Sequence, residues 1–221
     1  MERLRLLSGG PKSEWPSQLL VGTLAGPWVA ADRGAIHLLQ MGQIPLLVVG
    51  DFDSINQVER HAISQRIPAV ITKDDVDDTD TQWILNLIEQ RYQPDALEIY
   101  GATGGRIDQF LSNLFIFTEA RFRELATRTK LIDRNNVIQF FLPGEHTIVH
   151  EPTMKYLGFM ALEPVTGLNL PDEKYNLSDW SGNPWSFSSN EFKGTVNHFS
   201  FTSGMVAVIQ SKDTRDQNPV D

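Results

Sequence analysis

The chain contains no cysteine among its 221 residues. Disulfides, thiolate catalysis and cysteine-based zinc sites are therefore excluded. Its five histidines, His37, His61, His146, His150 and His198, show no compact metal spacing and read as surface or core residues. Basic residues are in deficit: 19 Lys and Arg stand against 28 Asp and Glu, a formal charge of −9. A general nucleic-acid surface needs a basic stripe, so no nucleic-acid partner is expected. No apolar run approaches the roughly 20 residues of a membrane span, and no membrane partner is expected either. The apolar stretch before Gly9-Gly10-Pro11 is too short for a signal peptide, which makes a cytoplasmic location the expectation. The chain also lacks internal repeats and low-complexity segments.

What is present reads as globular: 41% of residues are hydrophobic and 21% charged. The length permits one large domain or two small ones. Up to about residue 134, short apolar runs alternate with helical patterns. Strands are expected at residues 5–7, 28–31, 46–49, 69–72 and 97–100. Residues 34–41 form a short helix closed by Gly42. Another helix begins near Thr79, where Thr79 and Gln82 have the form of a capping box ahead of Trp83, Ile84, Leu87 and Ile88. A further helix is expected over residues 107–125, with Phe110, Leu111, Leu114 and Phe115 on one face. Such alternation implies a parallel sheet with crossover helices, and a crevice at the carboxyl ends of its strands. From residue 135 the pattern changes to strands at 137–142, 145–150, 156–163, 187–192, 196–201 and 205–210, separated by turn signals. The expected fold is α/β. A Rossmann-like parallel-sheet domain over 1–134 is followed by an antiparallel β-sandwich over 135–221.

Three motifs fall at expected strand ends. The first is Gly50-Asp51-Phe52-Asp53-Ser54. In an extended backbone Asp51 and Asp53 would face the same side and offer oxygen ligands to a hard cation. Ser54 can cap the segment that follows. The second is the run from Asp74 to Asp80, which holds five carboxylates. Asp78 and Asp80 stand at the positive end of the helix that starts there. Lys73, just before the run, pairs with it or reaches a phosphate. The third is Gly101-Ala102-Thr103-Gly104-Gly105-Arg106-Ile107-Asp108. A glycine turn between strand and helix brings backbone N–H groups against phosphate oxygens. Arg106 adds a fork of donors, and Asp108 a hard-metal ligand. No Walker lysine follows this turn. Asp32, after the run 28–31, is either a helix cap or a fourth strand-end acid. Late in the chain, Trp180, Trp185 and the segment Ser188 to Phe192 can stack on or read an aromatic ligand, or pack in a core or interface. Together these motifs point to a metal-dependent nucleotide enzyme.

At Gly50 to Ser54, Asp78-Thr79-Asp80, Gly101 to Asp108 and Ser189-Asn190-Glu191-Phe192, the chain resembles the thiamine pyrophosphokinase family. The resemblance spans most of the chain, in matching order and separation. It implies transfer of a diphosphoryl group from ATP to the thiamine hydroxyl, giving thiamine diphosphate and AMP. Mg²⁺ is the implied cofactor, and the implied assembly is a homodimer with active sites between subunits. Carried over by motif, Asp51, Asp53, Asp80 and Asp108 are the metal and catalytic acids, joined by Arg106. Asp32, Lys73, Gly101, Thr103, Gly104, Gly105 and Arg106 fall on the nucleotide side. Ser189 and Asn190, with Trp180 or Trp185, fall on the thiamine side. Asp80 or Asp53 is the candidate base. Arg33 and Gln109 depart from the family pattern, where glycine and often histidine stand. Another Mg²⁺-dependent phosphoryl or nucleotidyl transferase, a ligand sensor and a purely structural two-domain protein are the competing readings.

Overall fold

A computed structural model of the chain describes residues 1–53, 55–72 and 78–213. Two compact units emerge. The first comprises Met1–Ile116 with Leu131–Arg134, and the second comprises Phe117–Lys130 with the chain from Asn135 onward.

The first unit is built on parallel strands. Strand β1 (Arg3–Leu7) pairs with β2 (Trp28–Ala31), β2 with β3 (Leu47–Gly50), and β3 with β4 (Val70–Thr72). Strand β5 (Ala96–Tyr100) returns to the other side of β1, and β6 (Thr129–Ile132) lies beside β5. The chain therefore reverses its direction of travel between β1 and β5. Apart from β4, the paired strands are mostly buried along their length, the burial that parallel sheets with covered faces require.

Helices α1 (Ser17–Leu20), α2 (Arg33–Gln40), α3 (Gln57–Arg66), α4 (Asp80–Arg91) and α5 (Ile107–Phe115) connect them. Helix α2 sets Ala35, Leu38 and Leu39 into a core with Leu7, Trp28, Ala30, Val48 and Tyr100. Helix α4 packs against β2 and β3 and buries Ile84, Leu85 and Ile88. Its capping box is formed as expected: Gln82 N–H donates to Thr79 Oγ1 at 3.2 Å, and Thr79 N–H donates to Gln82 Oε1 at 2.7 Å. Helix α3 was not anticipated, although Asn56 and Glu59 form an equally complete box. Its weak apolar periodicity, with Ile63 as the one buried side chain, hid it.

The long helix expected over 107–125 is shorter. Helix α5 stops at Phe115, 3₁₀ turns follow at Ile116–Thr118 and Ala120–Phe122, and α6 spans Arg123–Ala126. Leu111 is exposed, not on the buried face. The apolar residues after Phe115 serve several short turns, which a single helical period cannot describe.

The second unit holds two antiparallel arrays. One runs β12 (Trp185–Asn190), β9 (Tyr156–Ala161), β14 (Val206–Ser211) and β7 (Asn136–Phe141). The other runs β11 (Leu177–Gly182), β10 (Val165–Leu170), β13 (Val196–Phe201) and β8 (Gly144–Val149). Their inward residues share one core, with Leu157, Phe159 and Val208 from the first array and Leu168, Phe199 and Phe201 from the second. Strands β6, β10 and β11 were not anticipated. In β11, Ser178, Asp179 and Ser181 face solvent, so it carries little apolar signal. Among the described residues, no helix is long and apolar enough to cross a membrane.

Candidate active site

A cavity of about 480 Å³ opens within the first unit at the carboxyl ends of its strands. It sits where the chain switches sides, between the turn after β1 and the turn after β5, the position at which open parallel sheets hold ligands. Its lining comes from Ser8–Pro11 after β1, Ala31 and Asp32 after β2, Thr79–Thr81 at the start of α4, and Gly101–Arg106 after β5. Gln109 and Asn113 of α5 complete it.

The two glycine turns are fitted to each other. Gly10 N–H donates to the Gly101 carbonyl at 2.8 Å. A Cβ on Gly10 would collide with that carbonyl, and one on Gly101 would collide with the Ser8 carbonyl. Gly101, Gly104 and Gly105 all have positive φ, between 67° and 77°, which other residues rarely adopt. Gly34 likewise lets α2 begin against the Leu7 carbonyl. At position 33, where the family has glycine, Arg33 lies 3.6 Å from Glu59 with its side chain partly exposed.

Asp32 is the most unusual residue of the site. It stands at the N-cap position of α2, yet its side chain caps nothing, and its backbone is strained at φ 43°, ψ −122°. Such strain marks residues held for a purpose by their surroundings. One carboxylate oxygen, Oδ1, is buried without a hydrogen-bond donor, in the space a Cβ of residue 50 would fill. A side chain at position 50 would force the Asp32 carboxylate to move. Burial, then a hydrogen bond and repulsion from Asp80, then repulsion from Asp51, push the Asp32 carboxyl up to about 7. Two carboxyl groups facing one another cannot both ionise cheaply.

That arrangement fits a hard divalent cation. The donors are carboxylate oxygens, one of them is unpartnered, and a positive charge would relieve their repulsion. Among the described residues no three histidine, aspartate or glutamate side chains gather closely enough to form a complete metal cage. Mg²⁺ does not need one, since it keeps waters and takes phosphate oxygens.

The other sequence candidates are placed differently. Asp51-Phe52-Asp53 is not extended. Phe52 has φ 58° and is buried at 4% exposure, while Asp51 Oδ1 accepts the Asp53 N–H at 2.9 Å. The expected same-side alternation is thus replaced by a turn anchored on Phe52, with both acids exposed. Asp51 acts electrostatically on Asp32, and neither Asp51 nor Asp53 lines the cavity. Arg106 and Asp108 form a two-point ion pair on the surface, at 3.1 and 2.5 Å. The guanidinium holds the Asp108 carboxyl below the usual carboxylate range. Arg106 lines the cavity and Asp108 does not. Ser54, Lys73, Asp74, Asp75 and Asp77 lie outside the described residues.

In the second unit, Ser189 is exposed on β12, where the pairing with β9 shifts register between Phe187 and Asn190. Its φ is 61°. Bulges on outer strands re-aim side chains. Asn190 is buried at 4% exposure and held by three hydrogen bonds. Its Oδ1 accepts from Tyr175 N–H at 2.8 Å and from Glu191 N–H at 3.0 Å, and its Nδ2 donates to the Tyr175 carbonyl at 2.8 Å. Trp180 packs edge-on against Phe187 with ring centres 5.0 Å apart, while Trp185 is 62% exposed.

Residues 24–129 match the family model for the thiamin pyrophosphokinase catalytic domain, and residues 145–206 match that for the thiamin pyrophosphokinase vitamin B1 binding domain. The chain belongs to the thiamin pyrophosphokinase family. A thiamine pyrophosphokinase of Bacillus subtilis is 34% identical over 217 residues, covering 96% of this chain and all of the relative. A crystal structure of a thiamin pyrophosphokinase family protein from Enterococcus faecalis superposes with a TM-score of 0.90 at 40% identity, over 96% of this chain and all of that one. A protein from Lactobacillus plantarum gives 0.88 at 44% identity, with the same coverage. Membership supports kinase-type transferase activity.

Sequence reasoning missed one turn that lines the cavity and one buried acid that contacts the lining. The Ser8–Pro11 turn carried a legible signal, two glycines directly after an apolar run. Asp133, one residue past β6, ended a strand that was itself unread.

Proposed function

We propose that the chain transfers the terminal diphosphoryl group of ATP to the hydroxyl of thiamine, releasing AMP. The observation that carries this reading is the strand-end cavity, where a glycine turn and a strained aspartate pair meet in a chain of this family.

In the proposed reaction the alcohol oxygen forms a bond to the β-phosphorus of ATP. The bond from that phosphorus to the bridging α-phosphate oxygen breaks, and AMP leaves with its electron pair. The alcohol proton passes to a carboxylate, and Asp80, which lines the cavity, is better placed than Asp53. Little covalent chemistry falls to the protein, so its work is positioning and charge neutralisation. The amides of Gly101–Gly105 and the Arg106 guanidinium meet phosphate oxygens. Asp32 and Asp80, supported by Asp51, are the residues that would hold Mg²⁺, and Asp53 and Asp108 join only if their turn and ion pair open. Bound there, the cation would neutralise phosphate charge. Thiamine is cationic and is drawn to an acidic site.

For thiamine recognition we assign Ser189 and Trp185 to contact, and Asn190 to holding the segment in shape. The assembly is proposed to be a homodimer with active sites between subunits, and the exposed Trp185 on an outer strand supports it. The whole range 135–221 is proposed as the thiamine-binding and dimerisation domain, and 1–134 as the ATP domain.

The test is product analysis after mixing the purified protein with ATP, Mg²⁺ and thiamine. AMP and thiamine diphosphate in equal amounts are expected. ADP with thiamine monophosphate would overturn the transfer mode, and no product with a protein shown to bind ATP would overturn the acceptor.

A further inference from the structure

Asp133 is a buried carboxylate that none of the recognised motifs contains. It stands at the carboxyl end of β6, with 6% of its surface exposed. Its Oδ2 accepts a hydrogen bond from Thr103 Oγ1 at 2.7 Å, thirty residues away in sequence and within the first unit. Thr103 is itself 6% exposed and lines the cavity from the middle of the Gly101–Arg106 turn.

The chemistry of this contact is directional. A carboxylate accepts and a hydroxyl donates, so Thr103 spends its one proton on Asp133. Charge-assisted bonds of this kind are the stronger ones, more so away from water. The turn needs such a tie. Three of its residues are glycines with positive φ, which lose the most freedom on being ordered. Two other ties hold its first half: Asn113 Nδ2 donates to the Ala102 carbonyl at 2.9 Å, and Gly10 N–H donates to the Gly101 carbonyl at 2.8 Å. Of the three, the Asp133–Thr103 bond is the one fixed by two buried side chains. The next residue keeps Asp133 in place, since Arg134 N–H donates to the Glu14 carbonyl at 2.7 Å.

We propose that Asp133 is a positioning residue for the nucleotide: it holds Thr103, and through it the glycine turn, in the shape that receives the phosphates of ATP. This rests on the reading of that turn as the ATP site. Asp133 touches no reacting atom. A turn held in its bound shape loses less freedom when ligand arrives, so the tie acts on nucleotide affinity before it acts on anything else.

Two pairs of variants test this in the intact chain. Asp133→Ala and Thr103→Val are each expected to raise KM for ATP, and the Kd of ATP measured directly, by about 10-fold. KM for thiamine is expected to stay unchanged. The double variant should bind ATP no worse than the weaker single one, because both remove the same bond. Asp133→Asn and Thr103→Ser keep a hydrogen-bonding pair and should recover most of the affinity. Both also retain the buried polar groups, so they serve as readouts where Asp133→Ala proves too unstable. Unchanged ATP affinity in Asp133→Ala and Thr103→Val would overturn the inference. So would equal losses for thiamine and ATP, or effects that add in the double variant. Failure of the parent chain to bind ATP at all would instead overturn the assignment of the turn.

Discussion

The first unit leaves a polar group at its cavity short of a partner, whereas the second unit ties its candidate polar residue down. Asp32 keeps a buried oxygen without a donor and is pushed towards neutrality by burial, then by Asp80 and Asp51. Asn190 spends its amide on Tyr175 and Glu191 and is buried. Both stood as site residues in the sequence, and their surroundings give them different work. A strained carboxylate with one oxygen left unpartnered can accept a ligand. A satisfied amide specifies local structure. Even within the first unit the contrast recurs, since Asp108 is already neutralised by Arg106 on the surface.

The comparison breaks most visibly at Asp80. Asp80→Ala is expected to cut kcat by about 10²-fold or more, because it removes one half of the carboxylate pair. Steady-state turnover with saturating Mg²⁺ checks this, and a loss of under about threefold would remove Asp80 from the site. Arg106→Ala follows, with a fall in kcat of roughly 10-fold and no measurable change in melting temperature, since the pair it breaks is solvated. If the melting temperature drops as well, the Arg106–Asp108 pair is structural.

For the second unit, Asn190→Ala should cost about 1–3 kcal/mol in urea unfolding, because Tyr175 loses both partners. Unaltered stability with weakened thiamine affinity would return Asn190 to direct ligand contact. A smaller effect separates the units by pH. A carboxyl whose folded pKa is raised contributes stability below its unfolded value and loses it as pH rises through the folded one. Asp32 moves from 3.8 to about 7. In chelator, the melting temperature should therefore fall between pH 4 and pH 8, and Asp32→Asn should flatten that slope. A parent chain with a flat profile would mean the pair is not under strain. The smallest change is Ser189→Gly, which suits φ 61° and should leave stability within about 1 kcal/mol. Thiamine KM should still rise if the hydroxyl makes the contact.

Much of the first unit was legible because its signals are local. Buried parallel strands read as short apolar runs, and the Thr79–Gln82 box is written in adjacent residues. Helix α3 escaped because its box precedes a mostly polar stretch. The Asp51-Phe52-Asp53 geometry was misread for a different reason. Alternation assumes an extended chain, and burial of Phe52 in the core bends it. Trp180 and Trp185 were equivalent in sequence, and only packing against Phe187 separated them.

Sequence alone determined the composition class, the alternation of parallel strands with helices in the first unit apart from α3 and β6, the three acidic and glycine motifs, and the family. Those are properties of neighbours along the chain. Tertiary structure decided which motifs meet. It placed β5 beside β1, so that Gly101–Arg106 faces Ser8–Pro11, and it set Asp32 against Asp80 and Thr103 against Asp133. Pairings between residues tens of positions apart depend on strand order and close backbone approach, and neither is encoded in any single stretch of the chain.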